Sequence, residues 1–173
     1  MKDHRNSPFR DAKRDRSTAA EVPDTPQTRA PAYRLAFADE EFLCREELRP
    51  VRLQLELLKP QLLLDEHQID STIVLFGGAR IPRPAEKDEA HTQTLADLSH
   101  FYDEARSFAR LMTRKSNASQ GREYVVVTGG GPGLMEAGHR GAMDEGGTTT
   151  GPNTVIPPQQ APNAFATPVL HFH

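Results

Sequence analysis

The sequence is poor in cysteine, in long apolar runs and in excess charge of either sign. Its single cysteine, Cys44, cannot form an internal disulfide, which favours a reducing compartment. The formal net charge is −3, from 21 basic and 24 acidic residues, which lacks the basic surface typical of nucleic-acid binding. No apolar run has the length of a signal peptide or a membrane span. We therefore expect a cytoplasmic protein whose partners are neither nucleic acid nor a membrane.

A chain of 173 residues suits one domain of ordinary size.

The N-terminal stretch has few large apolar side chains. Residues 1–38 consist largely of Arg, Asp, Ser, Thr, Pro and Ala. Such a composition buries too little apolar surface to offset the entropy of ordering the chain. We therefore predict that residues 1–38 form a disordered arm.

A helical leader is predicted over residues 39–70. Apolar side chains recur there at spacings of three and four, which places four of them on one stripe of a helix: Val51, Leu55, Leu58 and Leu62. Pro50 and Pro60 are expected to limit this helix to short pieces. We expect the stripe to pack on the main domain, and the alternative is that it binds a partner.

Strands and helices alternate over residues 71–173. Short apolar runs at 71–76 and 123–128 each end in glycines, which is typical of buried strands that enter tight turns. A crossing helix is predicted between them, a second helix over 134–145, and a third strand over 150–156, followed by a proline-rich tail. This order predicts an α/β fold with right-handed crossovers, a parallel sheet and flanking helices. With about three strands, the sheet looks incomplete.

The glycine-rich turn at 129–133 is the most specific segment. Glycines let the backbone approach a ligand without Cβ clashes, while the free N–H groups and the positive end of the following helix attract an anion. We predict a phosphate site here, and the alternative is a tight turn without a ligand. The turn lacks the third glycine of a dinucleotide fingerprint and the lysine of a P-loop. The candidate binding residues are Gly129, Gly130, Gly131, Gly133, Leu134 and Met135.

A second turn of small residues follows the first strand. It contains Gly77 and Gly78, with Arg80 just after them. Ligands of open parallel sheets lie at the carboxyl ends of the strands, so both turns are expected to converge on one nucleotide. Arg80 is predicted either to pair with a phosphate or to remain solvated.

Other kinds of chemistry have little support in the sequence. His171 and His173 lie near each other, but without clustered cysteines or carboxylates we expect no zinc site. No serine or cysteine stands in the context of an activated nucleophile, so we expect no covalent catalysis and assign no catalytic residue. Glu136 and Glu145 are expected on the solvated face of the helix that follows the glycine-rich turn.

From about residue 48 onward the sequence resembles the LOG family, the cytokinin riboside 5′-monophosphate phosphoribohydrolases and related AMP nucleosidases, formerly labelled lysine decarboxylases. The resemblance is carried by residues 71–82, 127–138 and 160–163, with Thr167 and Pro168. The run Gly-Gly-Gly-Pro-Gly-Leu-Met-Glu is its most specific part.

The resemblance implies a Rossmann-like domain, usually a homodimer, which acts on a nucleoside 5′-monophosphate. Its activity would be hydrolysis of the N-glycosidic bond of AMP or a cytokinin ribotide, releasing the base and ribose 5-phosphate without a cofactor. Decarboxylation is not expected, because that chemistry needs a lysine that holds pyridoxal phosphate.

The sequence departs from the family pattern in three respects. The hallmark Pro-Gly-Gly-x-Gly-Thr-x-x-Glu and an arginine upstream of it are expected beyond residue 173, so we expect a truncated, inactive chain. Gln159, a further candidate for nucleotide binding, stands where relatives often carry a substrate-contacting glutamate. The third strand is expected to be weak because Pro152 removes a ladder hydrogen bond. The alternative function is a non-catalytic module that binds a nucleotide phosphate or a partner.

Overall fold

The computed structural model describes residues 11–154 and 161–173, and the chain divides into two compact units. The first unit is Met1–Leu55 and the second is Glu56–His173. Among the described residues, no helix is both long enough and apolar enough to cross a membrane.

Short helices make up the described part of the first unit. They are α1 (Ala12–Ala20), α2 (Pro26–Arg29) and α3 (Glu40–Leu43), with 3-10 turns at Pro31–Tyr33, Ala36–Ala38 and Glu46–Leu48. A longer helix, α4 (Arg49–Glu66), begins in this unit and ends in the second.

The stretch that we predicted to be disordered contains helical turns over its described residues, 11–38. The Asp11 carboxylate accepts a hydrogen bond from the N–H of Arg14 at 2.9 Å, and Thr25 forms a reciprocal capping box with Thr28. Such caps satisfy the N–H groups at a helix start without tertiary contacts. None of the residues of α1 or α2 is buried, so local hydrogen bonds rather than a core account for these helices.

Removal of residues 1–38 is expected to leave ligand binding at the glycine-rich turn unchanged. The helices of this stretch have no buried residue, so we also expect proteases to cut there before they cut the second unit. Limited proteolysis followed by mass spectrometry, with calorimetric titration of the shortened protein, measures both. Strong amide protection of 11–38 in hydrogen exchange, or weaker binding after its removal, contradicts this prediction.

The helix α4 is continuous, so the breaks expected at Pro50 and Pro60 are wrong. Pro50 lies in the first helical turn, where the backbone N–H has no partner within the helix in any case. Pro60 lies inside the helix and removes one backbone hydrogen bond without ending it.

The part of the apolar stripe of α4 that lies in the second unit is exposed, which corrects the expectation that it packs on the main domain. Leu58 and Leu62 belong to this part and are 53% and 57% exposed, whereas Val51 and Leu55 belong to the first unit. The neighbouring residues Leu63 and Leu64 pack instead against a buried apolar cluster in the second unit. That cluster consists of Ile69, Val125, Leu170 and Phe172. The spacing of the stripe therefore predicted a helix correctly but not the side of it that faces the core.

A four-stranded sheet with all strands parallel forms the centre of the second unit. Its strands are β1 (Thr72–Val74), β2 (Val125–Val127), β3 (Thr149–Pro152) and β4 (His171–Phe172), and they lie in this order across the sheet. In register, Ile73 lies opposite Val126, and Gly151 lies opposite His171. The predicted α/β fold with a parallel sheet is confirmed.

Helices flank the sheet and connect its strands. They are α5 (Gln93–Asp97), α6 (His100–Ala118) and α7 (Leu134–Asp144), with 3-10 turns at Pro84–Glu89 and Pro168–Leu170. The helix α6 is the predicted crossing helix, and α7 follows β2. The two helices pack closely because a small residue stands at their contact: a Cβ added to Gly141 would lie 2.8 Å from the Cβ of Ala109.

The sheet has one strand more than the three that we expected. The additional strand, β4, lies where the sequence predicted a proline-rich tail. It has two residues, too few for an alternating pattern to identify. Pairing with β3 defines it, and the Thr150 hydroxyl donates a hydrogen bond to the carbonyl of Leu170 at 2.9 Å just before it. Contacts between segments distant in sequence therefore form this strand.

The third strand is shorter than predicted over the described residues. It was expected over 150–156 but spans Thr149–Pro152, and residues 155 and 156 lie outside the described part of the chain. Its polar residues Thr149 and Thr150 are buried, and both make side-chain hydrogen bonds. Buried hydroxyls are tolerated when they are bonded in this way.

Ion pairs connect α6 to α7. Arg106 binds Asp144 at 2.6 Å, while Arg110 and Arg114 both bind Glu145 at 2.9 Å. The Glu145 side chain is only 18% exposed, so the expectation that it is solvated is wrong. The hydrogen bonds from Arg114 and Arg110 lower the pKa of Glu145 to about 2.

Candidate functional site

The two glycine-containing turns meet at the carboxyl end of the sheet, as predicted. The N–H of Leu134, the first residue of α7, donates a hydrogen bond to the carbonyl of Gly78 at 3.2 Å. Gly133 has a positive φ of 69°, and a Cβ added there would lie 2.5 Å from the Gly78 oxygen. A residue with a side chain is both strained and obstructed at this position, so glycine is required where the turns touch.

Backbone N–H groups at this junction are free of partners. Six N–H groups in the stretch 129–136 make no hydrogen bond to any described residue, that is, within 11–154 and 161–173. They belong to Gly129, Gly130, Gly131, Gly133, Met135 and Glu136. Unbonded N–H groups at the start of a helix carry its positive dipole end and bind anions. We call this set of N–H groups the amide cradle.

Asn163 fixes the orientation of the glycine-rich turn. Its backbone N–H donates to the carbonyl of Gly130 at 2.8 Å, and its side-chain Nδ2 donates to the carbonyls of Gly130 and Gly131 at 3.2 Å. The N–H of Gly131 shares a trans peptide with the Gly130 carbonyl and points the opposite way. Asn163 therefore directs this N–H away from the C-terminal segment. The sequence analysis did not name Asn163 as a site residue, although it ends one of the resembling segments.

The side chains of Leu134 and Met135 leave no room for a Cβ at three of the other glycines, Gly77, Gly129 and Gly131. A Cβ at Gly77 would lie 2.5 Å from the Cβ of Leu134. Cβ atoms at Gly129 and Gly131 would lie 2.7 Å and 2.5 Å from the Met135 side chain. Leu134 and Met135 thus cover the turns by packing on them.

A cavity of about 490 Å³ opens beside the amide cradle. Pro132 and Gly133 of the glycine-rich turn form one wall, and the segment 79–83 after β1 forms another. Arg80 lies on that wall with an exposed side chain and makes no ion pair within the part of the chain that the structure describes. Its guanidinium is therefore accessible to an anion in the cavity. Gln159, the remaining candidate, lies outside the described residues.

Glu136 forms the centre of a charged cluster in the same cavity. Its Oε1 accepts hydrogen bonds from Arg83 Nη2 at 2.5 Å, from the Tyr102 hydroxyl at 2.9 Å and from Arg140 Nη1 at 3.5 Å. The side chain is 12% exposed, so the expectation that Glu136 is solvated is wrong. The hydrogen bond with Glu136 raises the pKa of Arg83, and burial together with that carboxylate raises the pKa of Tyr102. Sequence analysis missed this cluster because its members are far apart in the chain.

A buried histidine lies in α7, the helix that follows the glycine-rich turn. His139 of α7 is fully buried, and its Nδ1 shares a hydrogen bond of 2.8 Å with the Thr149 hydroxyl. Its Nε2 has no partner among the described atoms, and the ring of His171 lies 6.2 Å away between centroids. Burial, and then the nearby His171, lower the pKa of His139 to about 4.

Acidification is expected to destabilise the protein through His139. The pKa falls from 6.5 to about 4 on folding, so below pH 6.5 the unfolded chain takes up a proton that the folded chain does not. The stabilisation that comes from neutral His139 should be fully present above pH 6.5. Below it, the free energy of unfolding should fall by about 1.4 kcal/mol per pH unit towards pH 4. Urea unfolding across this range measures the slope. His139→Asn should flatten it by about one proton, and an equal slope in both proteins contradicts the prediction.

No metal centre is evident in the described residues: they contain no group of three or more His, Cys, Asp or Glu side chains that could hold an ion. The neighbouring pair His139 and His171 falls short of such a group. The cavity itself is lined by Gly133 of the amide cradle, by guanidinium groups and by carboxylates.

Comparisons with known proteins do not assign the chain to a family. No family model matches the sequence, and a comparison with curated proteins found no match. The likeness to the LOG proteins remains a resemblance carried by the segments quoted above. Functional conclusions therefore depend on the geometry of the cradle and its cavity.

Proposed function

We propose that the amide cradle binds the phosphate of a nucleoside 5′-monophosphate, and that the chain is the phosphate-binding part of an N-glycosidic hydrolase of the LOG type. The observation that supports this most directly is the set of N–H groups in the amide cradle that have no partner among the described residues. A phosphate offers several acceptor oxygens and a negative charge, and it suits both the donors and the dipole of α7.

The cavity beside the cradle supports a ligand larger than inorganic phosphate. Its volume of about 490 Å³ lies within the range typical of small-molecule sites, roughly 300–1,000 Å³. Arg80 adds a cation on the wall next to the cradle, where it can pair with a phosphate oxygen. The cavity therefore suits a sugar phosphate with a base attached.

The hydrolytic part of the proposal requires groups that this sequence does not contain. Cleavage of an N-glycosidic bond passes through a cationic sugar, which a positioned carboxylate stabilises. In the family that the sequence resembles, that carboxylate belongs to the Pro-Gly-Gly-x-Gly-Thr-x-x-Glu motif. We propose that the ligand binds here and that its hydrolysis depends on that motif.

The second candidate is a module that binds a nucleotide without transforming it. The charged cluster favours this reading, because Glu136, the most buried carboxylate on the cavity wall, is paired with two guanidinium groups. Both guanidinium groups bind the same oxygen of this carboxylate, so the cluster holds Glu136 in an ion pair. Binding of AMP without turnover, also in the presence of the missing motif, would support this candidate.

Calorimetric titration with AMP, ribose 5-phosphate and adenosine tests the proposed ligand. Both phosphates are expected to bind, and adenosine is expected to bind at least about tenfold more weakly because it leaves the cradle empty. Arg80→Gln should weaken both phosphates, whereas Arg122→Gln, which alters an exposed ion pair with Asp70, is the matched control. Adenosine that binds as tightly as AMP contradicts the proposal.

A further inference from the structure

The second oxygen of Glu136 is available to a ligand. The three hydrogen bonds that this carboxylate accepts all reach Oε1, and Oε2 accepts none from the described residues. The Glu136 side chain keeps 12% of its surface exposed. The residue lines the cavity beside Pro132 and Gly133 of the glycine-rich turn. A hydrogen-bond acceptor of fixed position therefore lies next to the amide cradle.

The residues around Glu136 hold its Oε2 in place and offset the negative charge of the carboxylate. Arg83, Tyr102 and Arg140 approach Oε1 from three different segments of the chain, which restrains the carboxylate against rotation. The guanidinium groups of Arg83 and Arg140 offset its negative charge, which reduces its repulsion of a bound phosphate. An anionic part of a ligand is still disfavoured at Oε2, whereas a hydroxyl donor is favoured there.

We infer that Glu136 is a specificity-determining residue, which accepts a hydrogen bond from a 2′- or 3′-hydroxyl of the sugar and so selects ribonucleotides over deoxyribonucleotides. The inference rests on the proposed function, since it requires the phosphate to occupy the amide cradle. A sugar joined to that phosphate brings its hydroxyls into the adjoining cavity. Carboxylates recognise ribose hydroxyls in this way at the carboxyl edge of parallel sheets.

The size of the effect follows from the kind of hydrogen bond. A hydrogen bond to an ionised carboxylate stabilises a complex by enough to change affinity about tenfold or more. Loss of the hydroxyl also leaves Oε2 desolvated beneath the ligand, which adds to the penalty. A deoxyribonucleotide should therefore bind at least about tenfold more weakly than the ribonucleotide.

Calorimetric titration of the full chain with AMP, 2′-deoxy-AMP and 3′-deoxy-AMP tests the inference. At least one deoxynucleotide is expected to bind about tenfold more weakly than AMP, and Glu136→Gln should reduce that preference to about twofold. Glu123→Gln is the matched control, because it makes the same change at an exposed carboxylate outside the cavity lining, so the preference should persist. Thermal unfolding of each variant verifies that it is folded.

The outcomes separate this inference from the proposed function. Equal affinity of the parent protein for all three nucleotides overturns the role of Glu136 and leaves the phosphate site intact. A preference that survives in a folded Glu136→Gln protein overturns it as well. Should the Gln variant not fold, the ligand series on the parent protein still decides whether a hydroxyl is recognised. Failure of the parent to bind AMP or ribose 5-phosphate overturns the proposed function, and the inference falls with it.

Discussion

Replacement of Gly133 by alanine is expected to abolish AMP binding and to lower the free energy of unfolding by about 2 kcal/mol or more. The residue has a φ of 69°, which disfavours any side chain. The added Cβ would also lie 2.5 Å from the Gly78 oxygen and 2.9 Å from the Ala79 oxygen. Both contacts are with backbone atoms, so the two turns must separate and the cradle must lose its geometry. Urea unfolding and calorimetric titration with AMP measure the two effects.

Gly146 provides a matched control for this substitution. It has a similar φ of 65°, but a Cβ added there meets no atom within 4 Å. Gly146→Ala should therefore cost about 1 kcal/mol from backbone strain alone and leave AMP binding unchanged. A Gly133→Ala protein that binds AMP like the parent would contradict the role that we assign to the contact between the turns.

The second large effect is an expected absence of turnover. The purified chain alone should release no ribose 5-phosphate from AMP or from cytokinin ribotides above the uncatalysed rate. It supplies the amide cradle, but its most buried cavity carboxylate, Glu136, is engaged by Arg83, Tyr102 and Arg140. Among the described residues, the cavity is also lined by Glu86, which pairs with Arg83, and by the exposed Glu89. We expect neither to stabilise the cationic sugar as the Pro-Gly-Gly-x-Gly-Thr-x-x-Glu motif would. Chromatographic detection of adenine and ribose 5-phosphate measures the activity.

Rescue by a second polypeptide distinguishes a divided enzyme from a binding module. Addition of a polypeptide that carries the Pro-Gly-Gly-x-Gly-Thr-x-x-Glu motif is expected to restore turnover. The sheet offers it a place, because β1 is an edge strand among the described residues. Val74 at the end of β1 is 65% exposed, and Phe76 just after the strand is 98% exposed. Gly133→Ala should prevent the rescue. Robust turnover by the chain alone refutes the argument that the catalytic groups lie elsewhere.

The location of the candidate site was predictable from the sequence, whereas much of its composition was not. The turns at Gly77 and at 129–133 each follow a strand, and strand ends of a parallel sheet converge on one edge. Glu136 was expected to be solvated because helix periodicity does not reveal a partner on another segment. Its contacts with Arg83 and Tyr102 span 53 and 34 residues of sequence. A local pattern carries no information on such pairs.

The helical leader, residues 39–70, shows the same difference between what a local pattern predicts and what only the folded chain decides. The three- and four-residue spacing of its leucines predicted a helix, because side-chain spacing reflects the geometry of a single helix. Which side of it meets the core depends on the packing of other elements. Leu63 and Leu64 make that contact, while Leu58 and Leu62 stay exposed.

The sequence by itself determined the alternation of strands and helices, the parallel sheet and the glycine-rich turn, because each follows from residue types that are adjacent or periodic in the chain. Only the tertiary structure decided that β4 exists, that Asn163 orients the turn and that the hydrogen bonds of Glu136 with described residues all reach one of its two oxygens. Each of these depends on contacts between segments that are distant in sequence. Their energies arise from hydrogen bonds and packing that only the folded chain brings within range.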